Sequence, residues 1–249
     1  MQKTLLQIVL LFLLAASMSA QTADEIIAKY LKTIGGLEKV KAMTSLVRTG
    51  KFIGGGGFEA VVRQENKRPN LVREEFSFQG FTGINAYNGK TGWKIEPWSG
   101  KKDVETLSEE EMKSMLEDAD FDGPIIDYKE KGNKIKYDGM EPVEGTDAIK
   151  IEVAMKNGDF EYYYFDTDYY VPIKIEYKRF IRGEAQESEA ILGDYKEVNG
   201  CYLPFSLEVG GKGSEFKAKY AYEKIEANVA IDDGRFEKPA PPAVPQSGK

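Results

Sequence analysis

The segment Ile173–Lys178 (IKIEYK) indicates the fold class, because apolar and charged residues alternate along it. Such alternation is typical of a β-strand with one face in a core and one face in water. Ile173, Ile175 and Tyr177 would point toward the core, and the charged residues between them would point outward. A mainly β structure is therefore expected around this segment.

Strand-like runs separated by tight turns extend from this segment in both directions. Arg182-Gly183 and Asn199-Gly200 follow it, and Gly54–Gly57, Asn88-Gly89 and Asn157-Gly158 precede it. Short Gly-containing turns between strands favour hairpins, so that successive strands pair antiparallel. We predict eleven or twelve antiparallel strands in a meander.

Helical spacing of apolar residues interrupts the strand pattern in three places. Two helices are expected near the start, one capped by Asp24 and ended by Gly35-Gly36, the other over residues 37–43. A third helix begins at Ser108, which with Glu111 has the spacing of a capping box. The apolar face of this third helix consists of Met112, Met115, Leu116 and Ala119.

The first twenty residues have the three parts of a secretory signal peptide. Lys3 is the positive charge, Leu5–Ala16 is the apolar stretch, and small residues end at Ala20. The apolar stretch is too short for a membrane-spanning helix. We therefore expect residues 1–20 to be removed and the remaining chain to be exported to the periplasm.

Composition excludes several classes of function. The 249 residues carry a net charge of −7, or −8 without Lys3, which disfavours nucleic acid and anionic lipid as partners. The chain has no histidine, so the usual zinc sites and Ser-His nucleophile systems are excluded. We expect no enzyme activity, cofactor or metal. A hydrolase with paired carboxylates would need two buried acids that face each other in a cleft.

Other candidate sites have plainer explanations. Glu109–Glu111 are expected to be a solvated helix start. Asp118, Asp120 and Asp122 resemble the start of a calcium loop, but Lys129 stands where the loop needs a glutamate. Cys201 has no histidine to activate it and is expected to be a small strand residue.

The order of several motifs resembles that of the outer-membrane lipoprotein-sorting proteins, the LolA/LolB-like family. Each motif is only a turn with flanking strands, so the specificity lies in their order and spacing. The motifs cover nearly all of the predicted mature chain: Arg48–Phe52 (RTGKF), Lys67–Asn70 (KRPN), Tyr87–Trp93 (YNGKTGW), Phe121–Pro124 (FDGP), Tyr164–Asp166 (YFD), Val171–Ile173 (VPI) and Asp194–Phe205 (DYKEVNGCYLPF).

This resemblance implies a strongly curved antiparallel sheet, an unclosed half-barrel, with N-terminal helices and a helical lid on its concave side. The domain would span residues 22–237, followed by a disordered proline-rich tail, residues 238–249. Met112–Ala119 would belong to the lid. In the family, the apolar inner face accepts acyl chains of lipoproteins or related lipids during transit across the periplasm.

The function that the resemblance implies is that of a periplasmic, non-catalytic carrier or chaperone for lipids or lipoproteins. The expected partner is a hydrophobic ligand, an acyl chain, lipid or lipoprotein, with an envelope protein as a further partner, and the expected oligomeric state is a monomer. The alternative is a sensor or protein-interaction module with a filled interior. Nine apolar side chains are expected to contact the ligand: Phe76, Phe78, Trp93, Ile95, Met112, Met115, Leu116, Phe205 and Leu207.

Overall fold

The computed structural model describes residues 22–100 and 103–240 of the chain. The predicted signal peptide, residues 1–20, lies outside the described residues, as do residues 241–249 of the predicted tail. No helix in the described part of the chain is long and apolar enough to cross a membrane.

Thirteen antiparallel strands form a single sheet. The strands are β1 (Ser45–Ile53), β2 (Glu59–Lys67), β3 (Leu71–Phe78), β4 (Phe81–Tyr87), β5 (Gly92–Ile95), β6 (Glu105–Thr106), β7 (Lys134–Val143), β8 (Thr146–Ala154), β9 (Phe160–Asp166), β10 (Pro172–Ile181), β11 (Glu184–Val198), β12 (Cys201–Gly211) and β13 (Ala218–Ala227). Their order across the sheet is β6-β5-β4-β3-β2-β1-β13-β12-β11-β10-β9-β8-β7. Strands that follow one another in sequence pair, apart from β6 and β7, and β1 also pairs with β13.

The sheet remains open between its two edges. Strands β6 and β7 form these edges, and the described residues contain no pairing between them. The segment that connects them, residues 107–133, carries two helices instead. The structure thus confirms the predicted unclosed half-barrel.

Four α-helices accompany the sheet in the described part of the chain: α1 (Ala23–Thr33), α2 (Leu37–Ala42), α3 (Glu109–Ala119) and α4 (Tyr128–Lys131). The predicted cap of α1 is wrong by two residues, because Thr22, not Asp24, precedes its first turn. The Thr22 hydroxyl accepts from the Glu25 N–H at 3.2 Å, and the Glu25 carboxylate accepts from the Thr22 N–H at 3.0 Å. This reciprocal pair is a capping box, as is the predicted one between Ser108 and Glu111.

Helices α1 and α2 fill one end of the half-barrel. Ile34 and Val40 pack against Leu46 of β1 and Phe205 of β12 in one apolar cluster. Ile26 packs in a second cluster against side chains of β8, β9 and β10. The sheet face that the helices cover is called the inner face below, and the opposite face is called the outer face.

The end of α1 also fills a gap within the sheet. Strands β12 and β13 pair only between Ser206↔Ala221 and Val209↔Ala218. Beyond Ser206 the Tyr202 N–H donates to the Ile34 carbonyl oxygen at 3.1 Å, and Pro204 has no N–H to leave unpaired. A groove of about 520 Å³ remains at the surface of this gap.

After β13, residues 228–237 run back across the outer face and form what we call the outer strap. Phe236 is fully buried in one cluster with Ile231 and Val47. The Arg235 guanidinium donates to Glu65 at 2.7 Å and to Glu75 at 2.9 Å. The strap therefore covers strands β1–β3 from outside.

Candidate functional site

Aromatic rings on the inner face extend the apolar cluster that contains Ile34 and Val40. Phe52 of β1 stands across from Tyr220 of β13, and Phe76 of β3 lies beside the Phe52 ring, both with 5.2 Å between ring centroids. Phe58 and Phe78 continue the cluster, with 4.7 Å between their centroids. These rings are not fully buried, so their apolar surface remains available on the concave side. We call these five rings the aromatic wall and the space beside them the inner chamber.

The two predicted ligand contacts on β12 differ in burial. Leu207 pairs with Tyr220 and is half-buried, so it extends the aromatic wall. Phe205 shares its face but is 7% exposed and packs in the cluster with α1 and α2. Phe205 is therefore a core residue of the closed end.

Trp93 and Ile95 lie on the outer face, away from the other predicted contacts. Trp93 is 1% exposed, and its Nε1–H donates to the Phe236 carbonyl oxygen at 2.8 Å. The residue between them, Lys94, lies on the inner face because strand residues alternate. The outer strap, which the sequence did not predict, is what buries Trp93.

Helix α3 contacts the sheet through three of its four predicted apolar residues, Met112, Met115 and Ala119. Met115 is buried in a cluster with Val72 and Tyr87, and Met112 packs against this cluster. Gly92 makes room for Met112, because a Cβ at position 92 would lie 2.4 Å from its Sδ. Leu116 is 46% exposed and does not contribute to this contact.

Ion pairs join α3 to both arms of the open sheet. On one arm, Lys94 of β5 lies 2.6 Å from Glu111. On the other arm, Lys113 lies 3.0 Å from Asp159, which precedes β9. The Arg179 Nε of β10 donates to Glu117 at 2.8 Å. Because β5 and β10 are near opposite edges of the sheet, α3 bridges the mouth of the half-barrel.

Three acidic side chains that the sequence analysis did not select lie near the inner chamber. Burial and the negative charge of Asp118 raise the pKa of Glu74 to about 8. Burial and repulsion from Glu117 raise the pKa of Asp118 to about 6, although Arg179 and Arg48 oppose the shift.

The third acid is Glu161. Burial raises its pKa to about 8, and the Tyr163 hydroxyl donates to it at 2.8 Å. The sequence signal for such groups is an acid in an apolar alternation, as in Val72, Glu74 and Phe76. These carboxyl groups can hold protons near neutral pH and can donate hydrogen bonds in that form.

The other acidic candidates and the cysteine have structural partners. Asp122 pairs with Arg68 at 2.5 Å and with Lys41 at 2.6 Å, and Asp120 pairs with Lys131 at 2.6 Å. No group of metal-ligating side chains occurs in the residues that the structure describes. Cys201 is fully buried, and burial raises the pKa of its thiol.

No protein-family model and no curated protein sequence matches the chain. Solved structures do match it. A DUF1329 family protein from Desulfovibrio piger gives a TM-score of 0.59 at 12% identity, over 85% of this chain and 97% of that chain. A domain assigned to outer membrane lipoprotein sorting, from Vibrio parahaemolyticus, gives 0.56 at 15% identity, over 85% and 94%. A LolA superfamily protein from Nitrosomonas europaea gives 0.55 at 13% identity, over 88% and 99%.

Identities this low establish a common fold and nothing finer. The matches cover almost the full length of each neighbour, so the likeness concerns the whole half-barrel and not one hairpin. The motif order in the sequence predicted the same architecture. The chain has the LolA/LolB-like fold.

Proposed function

We propose that the chain is a non-catalytic periplasmic carrier that holds acyl chains in the inner chamber. The observation that carries this proposal is the aromatic wall, whose partly exposed rings lie on the inner face of the curved sheet. The names of two structural neighbours, which refer to lipoprotein sorting and to the LolA superfamily, support it. A role in outer-membrane lipoprotein sorting is the finer form of the proposal.

Hydrophobic burial supplies enough free energy for such binding. Each buried methylene contributes about 0.8 kcal/mol, so a palmitoyl chain could contribute roughly 10 kcal/mol before ordering costs. The surface that would bury it is already formed, because ring contacts hold Phe52, Phe76 and Tyr220 in place. Preorganisation of this kind lowers the entropic cost of binding.

Replacing one wall residue by a charged residue tests the location of the site. In Leu207→Glu a carboxylate would enter the inner chamber, and we expect the affinity for a fluorescent fatty acid to fall at least about tenfold. Ser206→Glu is the matched control, because Ser206 is the preceding residue of β12 and points to the outer face. Fluorescence titration of both variants measures the effect. Equal losses in both variants would place the ligand elsewhere.

The alternative function is that of a sensor or protein-interaction module without a bound lipid. Native mass spectrometry of protein purified from a periplasmic extract separates the two. A carrier is expected to show a lipid adduct on a monomeric chain. A bare polypeptide mass, together with no binding of the fluorescent fatty acid, would favour the interaction module.

A further inference from the structure

One arginine differs from the others in the chain. All seven arginines lie in the part of the chain that the structure describes. Five of them make ion pairs with carboxylates: Arg63, Arg68, Arg73, Arg179 and Arg235. Arg182 is exposed in the turn between β10 and β11. Arg48 is enclosed, yet no described carboxylate lies within ion-pair distance of it.

Arg48 lies on the inner face, between the closed end and the aromatic wall. In β1 it lies two residues after Leu46, which packs against α1 and α2, and four residues before Phe52. This separation corresponds to about 13 Å of strand. Arg48 therefore lies at one end of the inner chamber, which we call its floor, and the aromatic wall extends from it along β1 toward Phe52.

The hydrogen bonds of Arg48 leave part of its guanidinium unused. Its Nη1 donates to the Asn66 side-chain oxygen at 2.6 Å and to the Gln64 side-chain oxygen at 3.3 Å. Among the described residues, Nε and Nη2 have no acceptor. Both amides are neutral, and burial lowers the pKa of Arg48. Of the described buried side-chain atoms, only the Tyr164 hydroxyl lacks a partner, so the free donors of Arg48 reach solvent and are accessible to an anion.

The carboxylate that attracts this charge belongs to helix α3. Asp118 of α3 attracts Arg48 from beyond ion-pair distance. The Asn66 side-chain amide donates to the Asp118 carbonyl oxygen at 2.7 Å, which fixes the helix above the floor. If α3 moves away, Arg48 loses this partial counter-charge. An incoming anion could then take its place.

We propose that Arg48 binds the carboxylate of a free long-chain fatty acid at the chamber floor, with the acyl chain along the aromatic wall. This assignment rests on the proposed acyl-chain function and names its substrate class. A single carboxylate fits better than a phosphate, because the floor offers one unpaired cation and also contains Glu74 and Asp118. A protonated Glu74 can donate a hydrogen bond to the same carboxylate.

Palmitate and hexadecanol separate the contribution of the carboxylate from that of the acyl chain. We expect Arg48→Gln to weaken palmitate binding by about 10- to 100-fold and to leave hexadecanol binding nearly unchanged. Asp118→Asn removes the competing charge and should strengthen palmitate binding about 3- to 10-fold. Arg182→Gln is the control, since that residue is exposed at a turn. Isothermal titration calorimetry near neutral pH measures all four proteins with both ligands.

The outcomes distinguish this assignment from the proposed function. If wild-type protein binds hexadecanol and palmitate, and Arg48→Gln binds both with unchanged affinity, Arg48 is not the anchor but the chamber still holds acyl chains. If Asp118→Asn leaves palmitate affinity unchanged, the exchange of counter-charges is wrong. If wild-type protein binds neither ligand, both the carrier function and the carboxylate anchor fail. Hexadecanol binding by Arg48→Gln also shows that the variant is folded.

Discussion

At the scale of single residues, the inner chamber combines an aromatic wall with acids that favour their protonated form. Glu74 lies on the inner face of β3, between Gln64 and Asn85 in the sheet. The described residues offer it no cation within ion-pair distance. Its ionised form is therefore penalised by burial and by the charge of Asp118.

This penalty makes folding stability depend on pH. The pKa of Glu74 is raised to about 8 in the folded protein from 4.5, so its contribution is complete below 4.5 and is lost as the pH rises toward 8. Glu74→Gln removes that loss, so the variant should be more stable than wild type above the folded pKa. One pKa unit corresponds to about 1.4 kcal/mol, and since Glu74 is only half-buried we expect a gain of about 1–3 kcal/mol.

Urea denaturation at acidic and alkaline pH measures this difference. The control is Glu59→Gln, because the Glu59 side chain is 58% exposed and should change stability by less than about 0.5 kcal/mol. The free energies of unfolding of the two variants should differ only at the higher pH. A Glu74→Gln protein that loses stability with rising pH as steeply as wild type would show that Glu74 is already ionised.

At this scale, regular alternation identifies which residues share a face of the sheet but not which face is covered by another element. Phe76 and Phe78 alternate with polar residues and lie on the inner face. Trp93 and Ile95 also alternate, but period alone does not tell which face is inside. The outer strap determines which face of β5 is buried, and no local pattern in β5 predicts the strap.

At the scale of elements, helix α3 is anchored differently on its two sides. Toward β3–β5 the contact is mainly apolar, through Met112 and Met115, with one ion pair between Lys94 and Glu111. Toward β9 and β10 it consists of ion pairs at Lys113 and Glu117. Apolar contacts tolerate small rotations better than directional ion pairs, so the helix would pivot on the apolar side and open on the charged side.

Breaking the charged side should speed ligand uptake. In Arg179→Gln the pair with Glu117 is lost, and we expect uptake of a fluorescent fatty acid in stopped-flow measurements to accelerate by about 3- to 30-fold. Lys196→Gln is the control, since its pair with Asp194 is exposed on both sides. An engineered disulfide between α3 and β10 has the opposite expected effect, with slower uptake in the oxidised form. If neither change alters the uptake rate, the fatty acid would enter through an edge of the sheet.

The sequence predicted α3 well because its capping box and its apolar spacing are local signals. It did not predict β6, because two residues, Glu105 and Thr106, cannot show an alternation. The structure therefore has thirteen strands where eleven or twelve were expected. The exposure of Leu116 depends on how α3 lies across the mouth, which spacing within the helix cannot specify.

At the scale of the whole molecule, the two faces of the sheet are covered by different parts of the chain. The inner face carries the chamber, and the outer face is closed by the outer strap through Phe236 and Arg235. The motif order predicted the half-barrel, but the strap was missed because its residues show neither strand nor helix periodicity. Its packing is visible only once β1–β3 are assembled beneath it.

Removing the central contact of the strap should therefore reduce stability without affecting the chamber. Phe236→Ala deletes a fully buried ring, and we expect a loss of about 3–5 kcal/mol in the free energy of unfolding. Phe216→Ala is the matched control, because Phe216 is 82% exposed and its removal should cost little. Urea unfolding gives the stability, and fatty-acid titration below the unfolding range should give unchanged affinity. A large loss of affinity in folded Phe236→Ala would mean that the faces are coupled.

The pairing of β1 with β13 also has a consequence for how the protein is made. The centre of the sheet joins residues as distant in sequence as Leu46 and Ala227. A chain that becomes available from its amino end cannot pair β1 with β13 until β13 is also available. Contacts between residues so distant in sequence form slowly. During that interval the early hairpins expose the same rings that later line the chamber. To avoid aggregation, the unfolded chain would therefore need β13 to become available quickly, or a chaperone that binds it until then.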